Sequence, residues 1–368
     1  MYFIITLFLI NILFFFNNIK KDNFHFKINN NQIINQTTTQ YNLYLNTPKQ
    51  SKSVHSSTIV KIKNNIIVAY FAGSREGAQD VAIYANKIQN FSSSKAILLL
   101  DRYKLMQDSY EYIKKLGNPL FVKINNKVYL FVVGVSIGGW STSKIYLYEI
   151  DENLKLKYKN KLILSPFANL SNLIRTKASI IQFTNKENGF ILPIYHELAK
   201  KFPINLLFDE NANLLDISLI NNFYNLLQPA LVAINDTNCL IAFRNSHNEN
   251  NKLKLQKCDN SFNYKKIITT NLENNDDSLN LFEINNKIFL INNKGAENSR
   301  EKLNLYELND NEFKKISTID YTLLEKGEVS YPSNYVDYDN EMVYISYTKD
   351  RKYIIFKAIP FSYFIKDK

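Results

Sequence analysis

The stretch Asn64-Asn-Ile-Ile-Val-Ala-Tyr-Phe-Ala-Gly73 contains the pattern that decides the fold, a polar turn followed by an apolar and aromatic run. Branched and aromatic residues bounded by turn residues predict a buried β-strand. The same pattern recurs at residues 126–134, 188–196, 238–244, 285–293 and 339–348. The starts of these runs lie about 47 to 62 residues apart, a spacing typical of repeat folds.

Weaker strands of the same kind lie between the strong ones, at residues 144–149, 253–257 and 303–307. Each is followed by a turn of Asp and Asn residues. Several short strands in each of six repeats are typical of propeller blades. The sequence therefore predicts an all-β, six-bladed β-propeller over residues 51–368. Two segments interrupt the pattern of strands and are predicted as short helices or loops, residues 107–116 and 221–227.

The N-terminus differs in character from the repeats. Residues 1–19 are predicted as a hydrophobic signal peptide or membrane anchor, and residues 20–50 as a polar linker. A secretory signal peptide normally has a basic segment before its apolar run and a cleavage site of small residues, and this sequence has neither. Lys20 and Lys21 follow directly, which by the positive-inside rule favours a cytoplasmic location. We expect an exported, periplasmic or membrane-anchored protein. If the protein is anchored, residues 2–19 attach it to the membrane. A cytoplasmic location is the alternative.

The charge and the cysteines narrow the function classes. The chain has a net charge of +11 and a pI near 9.2, but no run of basic residues is longer than two. Nucleic-acid surfaces concentrate their charge, so no nucleic-acid partner is expected, whereas an acidic carbohydrate suits a basic surface. Cys239 and Cys258 cannot form a metal site alone, and neither metal nor cofactor is expected. We expect two buried free thiols, with a cross-strand disulfide as the alternative.

Six short motifs occur in an order that resembles a bacterial family of predicted neuraminidases (sialidases) with BNR-type repeats. The resemblance covers roughly residues 53 to 360. The motifs are Gly73-Ser-Arg-Glu-Gly77, Gly117-Asn-Pro119, Gly139-Trp-Ser141, Pro193-Ile-Tyr-His-Glu197, Gln228-Pro229 and Ser330-Tyr-Pro332.

This resemblance implies a set of site residues. Sialidases hold the carboxylate of the substrate with three arginines, and use an Asp as acid/base and a Tyr nucleophile activated by a Glu. A guanidinium binds a carboxylate in bidentate fashion, and a phenol with a pKa near 10 needs activation to attack. By position, Tyr331 is the implied nucleophile and Asp80 the acid/base, while Arg244 and Arg300 are two of the arginines.

Two positions depart from the family pattern. His55 stands where the first arginine belongs, and Gln228 stands where the activating Glu belongs. A Gln cannot accept a proton, and a neutral His binds a carboxylate poorly. We predict that Arg75 replaces the missing arginine in space, and that Glu197 or Glu328 replaces the missing base. His55, His196 and Gln228 are further candidates for substrate binding.

The predicted function is that of a sialidase-like glycoside hydrolase, an exo-α-sialidase acting on acidic sugars of glycans. One alternative is a propeller lyase or a uronic-acid glycan hydrolase, in which His55 or His196 exchanges protons with a Tyr. The other is a non-catalytic glycan-binding propeller, for which Gln228 is the main argument.

Overall fold

The computed structural model describes residues 23–29, 39–164, 172–173, 178–196, 201–220, 225–246, 251–294 and 300–365. These residues form six antiparallel sheets, arranged as the six blades of a β-propeller. The prediction of an all-β, six-bladed propeller is confirmed.

The elements follow in chain order. Two N-terminal strands are β1 (Phe24–Phe26) and β2 (Tyr41–Tyr44). Blade 1 contains β3 (Ser53–Ile62), β4 (Asn65–Gly73), β5 (Ala82–Gln89), β6 (Ser92–Ser93) and β7 (Ile97–Leu100), and is followed by helix α1 (Arg102–Ser109). Blade 2 contains β8 (Lys115–Ile124), β9 (Lys127–Val135), a 3-10 turn (Trp140–Thr142), β10 (Ser143–Ile150) and β11 (Leu156–Lys161). Blade 3 contains β12 (Asn172–Leu173), β13 (Ser179–Phe183), β14 (Asn188–His196), β15 (Phe202–Asp209) and β16 (Leu214–Leu219).

The last three blades complete the ring. Blade 4 contains β17 (Leu226–Ala233), β18 (Asn238–Asn245), β19 (Lys252–Asp259) and β20 (Ile268–Glu273). Blade 5 contains β21 (Leu279–Ile284), β22 (Lys287–Lys294), β23 (Lys302–Asn309) and β24 (Glu312–Tyr321). Blade 6 contains β25 (Val329–Asp337), β26 (Met342–Lys349) and β27 (Tyr353–Pro360), and helix α2 (Phe361–Phe364) ends the described chain.

The six strong strands predicted from the sequence are the second strands of the blades: β4, β9, β14, β18, β22 and β26. A second strand has a neighbour on each side within its sheet and a neighbouring blade against each face. Its residues are therefore buried continuously, and in β14 only the two end residues are not fully buried. The weaker predicted strands are the third strands β10, β19 and β23.

Neighbouring blades share clusters of buried apolar side chains. Within blade 3, the rings of Phe190 and Phe208, on neighbouring strands, stack with centroids 4.8 Å apart. From blade 2, the ring of Phe131 meets Phe208 edge to face at 5.7 Å. Such aromatic contacts add to the gain from apolar burial, so packing between neighbouring blades stabilises the ring in addition to the hydrogen bonds within each blade.

The segment predicted as a polar linker, residues 20–50, contributes two strands to the propeller, and this prediction is corrected. Strand β2 pairs with β27 as the outermost strand of blade 6, so the two ends of the fold close the ring. Strand β1 pairs with β13 of blade 3, and Phe24 and Phe26 are 2% and 3% exposed. The short apolar alternation in each strand was hidden by the surrounding Asn and Gln residues.

The predicted signal peptide or anchor, residues 1–19, lies outside the described residues. Within the described ranges, no helix has both the length and the apolar character needed to span a bilayer.

Three blades share a hairpin turn that begins with an aspartate. In each turn the carboxylate accepts hydrogen bonds from the backbone N–H groups two and four residues later. The turns begin at Asp151, Asp209 and Asp259. The backbone is left-handed three residues after each Asp, with φ of 64° at Leu154, 58° at Ala212 and 57° at Phe262. The turns at 151 and 259 were predicted, whereas the one at 209 was missed.

Replacing Asp209 with Ala is expected to lower the free energy of unfolding by about 1 to 2 kcal/mol, because two backbone N–H groups lose their acceptor. Chemical denaturation measures this change. The matched variant Asp209→Asn keeps one side-chain carbonyl and should lose less than half as much. Equal losses in both variants would contradict the role given to the acceptor.

Cys239 and Cys258 form a disulfide between neighbouring strands. They are directly opposite each other in the register of β18 and β19, with Cα atoms 4.9 Å apart. This spacing lies within the range that a disulfide requires. The expectation of two free thiols was wrong, because the register of the hairpin decides the pairing.

The structure has a helix earlier in the chain than the short helix or loop predicted at residues 107–116, since α1 spans Arg102–Ser109. Asp101 caps helix α1 by accepting a hydrogen bond from the N–H of Lys104 at 2.7 Å, and a left-handed Tyr110 ends it. Residues from Lys115 onward belong to β8. In the second interruption, residues 221–224 lie outside the described ranges, and β17 begins at Leu226.

Candidate active site

The first strands of four blades carry a β-bulge at the same place, near the face where first strands begin and second strands end. We call this the upper face. The bulges lie in β3, β8, β17 and β25. Three of the bulged residues have a positive φ: Ser56 (70°), Gln228 (42°) and Tyr331 (54°). Left-handed backbone at non-glycine residues costs roughly 1 kcal/mol or more and concentrates at functional sites.

Tyr331 lies among positive charges at this face. The guanidinium of Arg300 is 5.4 Å from the centroid of its ring, and Arg244 donates a hydrogen bond to its hydroxyl. The ring of His55 meets it edge on at 4.5 Å. The N–H of Tyr331 donates to Ser278 Oγ at 2.8 Å. The structure therefore brings the predicted nucleophile together with both predicted arginines.

The pKa of Tyr331 is lowered from its ordinary value of 10. Burial raises the pKa of this phenol, but the charges of Arg244 and Arg300 outweigh burial and favour the phenolate. Two guanidinium groups can thus activate the hydroxyl where the sequence offers no carboxylate at position 228.

Arg244 is buried, with 7% of its surface exposed. Its Nε lies 2.8 Å from Asp276 Oδ1, and its Nη2 lies 2.8 Å from Asp276 Oδ2. The two side chains therefore form a bidentate ion pair. Burial lowers the pKa of Arg244, but Tyr331 and Asp276 raise it above its ordinary value. The guanidinium is therefore a permanent cation.

Glu328, predicted as a catalytic residue, lies between two cationic arginines and His55. Its Oε1 is 3.0 Å from Arg351 Nε and 3.6 Å from His55 Nδ1. Its Oε2 is 3.7 Å from Arg300 Nη1. These contacts suit a carboxylate that orients the cations, and its role in catalysis stays a prediction.

Arg351 is a third arginine that was not among the predicted site residues. Its Nη1 donates to Glu76 Oε2 at 2.6 Å, and Glu328 binds its Nε. Arg244 lies at the end of a second strand, and Arg300 and Arg351 follow one. An arginine therefore recurs beside the end of the second strand in three consecutive blades. This recurrence is the signal that could have identified Arg351.

Tyr331, His55, Glu328 and the three arginines are called the cluster from here on. The loop after β4 reaches the cluster through Glu76, which binds Arg351. Asp80, the predicted acid/base, is exposed, and its two oxygens accept hydrogen bonds from the N–H and the hydroxyl of Ser74 at 2.8 Å each. Arg75 is also exposed. Their predicted roles are not tested by these contacts.

Of the remaining predicted residues, His196 and Gln228 lie within the described ranges. His196 stacks on Phe202 with ring centroids 4.7 Å apart. Gln228 is 3% exposed, and its amide oxygen has no hydrogen-bond partner among the described residues. Glu197 lies outside them. Trp140 packs over Gly117, where a Cβ would come within 2.7 Å of its ring.

Asp276 and Asp277 were missed because the stretch from Asn274 to Asp277 has the composition of an ordinary turn. Asp277 is 5% exposed, and burial raises its pKa to about 6. Its Oδ1 accepts a hydrogen bond from Asn293 Nδ2 at 2.8 Å. Among the described residues, no group of three or more His, Cys, Asp or Glu is placed to hold a metal ion.

The fold and its repeats define a six-bladed β-propeller. Residues 64–345 match the family described as BNR repeat-like domain, and the chain belongs to this family. No curated protein matches.

Solved structures show the same fold at low identity. The sialidase of Trypanosoma rangeli matches with a TM-score of 0.60 and 11% identity over 86% of this chain, which spans 59% of that protein. A Hadza microbial sialidase matches with a TM-score of 0.61 and 10% identity, over 84% of this chain and 66% of that one. A Dyadobacter fermentans protein of unknown function matches with a TM-score of 0.63 and 10% identity, over 87% and 98%.

Proposed function

We propose that this chain is a sialidase-type glycoside hydrolase that acts on an acidic sugar, with Tyr331 as its nucleophile. The observation that carries the proposal is the contact of Tyr331 with Arg244 and Arg300 at the upper face. A matching structure of the T. rangeli sialidase contains sialic acid, which supports an acidic ligand for this fold.

In this mechanism the arginines bind the carboxylate of the sugar and orient its ring. The phenolate oxygen of Tyr331, stabilised by Arg244 and Arg300, attacks the anomeric carbon, and the bond from that carbon to the leaving oxygen breaks. Asp80, exposed on its loop, donates a proton to the leaving oxygen. Water then attacks the anomeric carbon and gives a proton back to Asp80, while the bond from that carbon to Tyr331 breaks, which restores the phenolate and releases the sugar. A tyrosine avoids the repulsion that a carboxylate nucleophile would feel from an anionic sugar.

The test is hydrolysis of a fluorogenic sialoside by the purified chain. We expect release of the fluorophore, since the cluster supplies both carboxylate binding and an activated phenol. Binding of the sugar by calorimetry without any release would contradict the hydrolase and favour a non-catalytic glycan-binding propeller.

A propeller lyase is the second candidate, and the approach of His55 to Tyr331 favours it. In a lyase, one of these residues removes the proton beside the sugar carboxylate and the other protonates the leaving oxygen, producing a double bond. Incubation with a polyuronate would then give an unsaturated product that absorbs in the ultraviolet, and His55→Gln should abolish it. No absorbing product would eliminate this candidate.

We further propose that the chain acts outside the cytoplasm. The apolar residues 2–19 and the disulfide between Cys239 and Cys258 support this location, because disulfides persist in oxidising compartments. The N–H of Thr184 donates to the carbonyl of Asn23 beside a hairpin turn at the face opposite the candidate site. An anchor preceding Asn23 would therefore leave the candidate site facing away from the membrane. Protease accessibility of the upper face in intact cells tests both points.

A further inference from the structure

Arg244 and Arg300 both contact one residue, Asp276. Its carboxylate binds Arg244 in bidentate fashion, with both N–O distances 2.8 Å. Its backbone carbonyl accepts a hydrogen bond from Arg300 Nη2 at 3.1 Å. Asp276 thus lies between two guanidinium groups, where the carboxylate of an acidic sugar would bind.

The two sides of this ion pair differ in their freedom to move. The side chain of Arg244 is 9% exposed, whereas that of Asp276 is 40% exposed. The N–H of Asp276 donates to the carbonyl of Asn245 at 2.9 Å, which holds the backbone of the loop in place. Rotation of the Asp276 side chain alone would therefore uncover the guanidinium without movement of the loop.

The other carboxylates in or beside the cluster bind elsewhere. Glu76 and Glu328 contact Arg351, and Glu328 also lies near Arg300 and His55. Asp277 accepts its hydrogen bonds from Asn293 and Asn275. In the described structure, the bidentate edge of Arg244 is therefore covered by one carboxylate, that of Asp276.

We propose that Asp276 is a specificity-determining residue that competes with the substrate carboxylate for Arg244. This inference rests on the proposed function at the same site. An acidic sugar must displace the Asp276 side chain, so its apparent affinity is reduced by the fraction of molecules in which Arg244 is covered. A sugar without a carboxylate does not need this displacement.

Calorimetry with sialic acid and with its methyl ester tests the proposal on the full chain. Asp276→Asn keeps the size of the side chain but removes the charge that competes. It should bind sialic acid roughly tenfold or more tightly than the wild type, a difference of about 1.4 kcal/mol. Binding of the methyl ester should be unchanged, because the ester presents no carboxylate.

Asp277→Asn is the matched control, since it removes a neighbouring negative charge without touching the bidentate contact. It should change the affinity for sialic acid by no more than about threefold, as expected of a charge that is not in contact. An equal gain in both variants would show an effect of net charge and would overturn the inference. No gain in Asp276→Asn would also overturn it.

The inference and the proposed function can fail separately. Turnover of a sialoside by the wild type without a gain in Asp276→Asn retains the hydrolase and removes the inference. A gain for the acid alone without turnover retains the inference and removes the hydrolase. If neither protein binds sialic acid, both fail. Should Asp276→Asn unfold, Asp276→Ser is measured by the rise in its melting temperature with sialic acid, which must exceed that of the wild type.

Discussion

Replacing Tyr331 with Phe is expected to lower kcat on a fluorogenic sialoside by roughly 10³-fold or more, the scale of losing a nucleophile. The variant loses only the phenol oxygen. Its ring keeps the contacts with His55 and Arg300, and its N–H keeps the bond to Ser278. The fold and the binding of the sugar should therefore survive, so KM should change by less than about threefold.

The matched control is Tyr321→Phe, on β24, where the side chain is 53% exposed. This variant should keep wild-type kcat, and circular dichroism of both variants should match the wild type. If Tyr331→Phe retained more than a tenth of the activity, another group would have to be the nucleophile.

Replacing Asp277 with Asn is expected to stabilise the protein at neutral pH by up to about 3 kcal/mol, since one pKa unit corresponds to 1.36 kcal/mol. Burial raises the pKa of Asp277 from 3.8 to about 6. The folded state therefore binds the proton more tightly than the unfolded state does. The contribution of this group to stability is complete below pH 3.8 and is lost as the pH rises through 6.

Urea denaturation between pH 3.5 and pH 8 measures this effect, and the gain from Asp277→Asn should grow over the interval from about pH 4 to 6. Asp339→Asn is a suitable control, because its carboxylate is 88% exposed. That variant should change the unfolding free energy by less than about 0.5 kcal/mol at any pH. A gain at position 277 that did not vary with pH would contradict ionisation as the cause.

The sequence predicted the blades well because a second strand is covered on both faces. Continuous burial demands a continuous apolar run, and such runs are visible without any knowledge of the partner strands. Strands β1 and β2 were missed for the opposite reason. Each is short and sits in a polar segment, and its burial depends on blades that follow much later in the chain.

The candidate site was predictable only in part. The order of motifs placed Tyr331, Arg244 and Arg300 in successive blades, and the structure brings them together. Arg351 and Asp276 had no such motif. Arg351 pairs with Glu76 over a separation of 275 residues, which no local pattern records.

By itself, the sequence determined the number of blades, because strand periodicity and turn chemistry act between near neighbours. Only the tertiary structure decided which charges meet. Ion pairs act at a few ångströms, and closure of the ring joins the loops of blades 1, 5 and 6 around Tyr331. Whether Arg244 is open to a ligand or covered by Asp276 depends on that geometry.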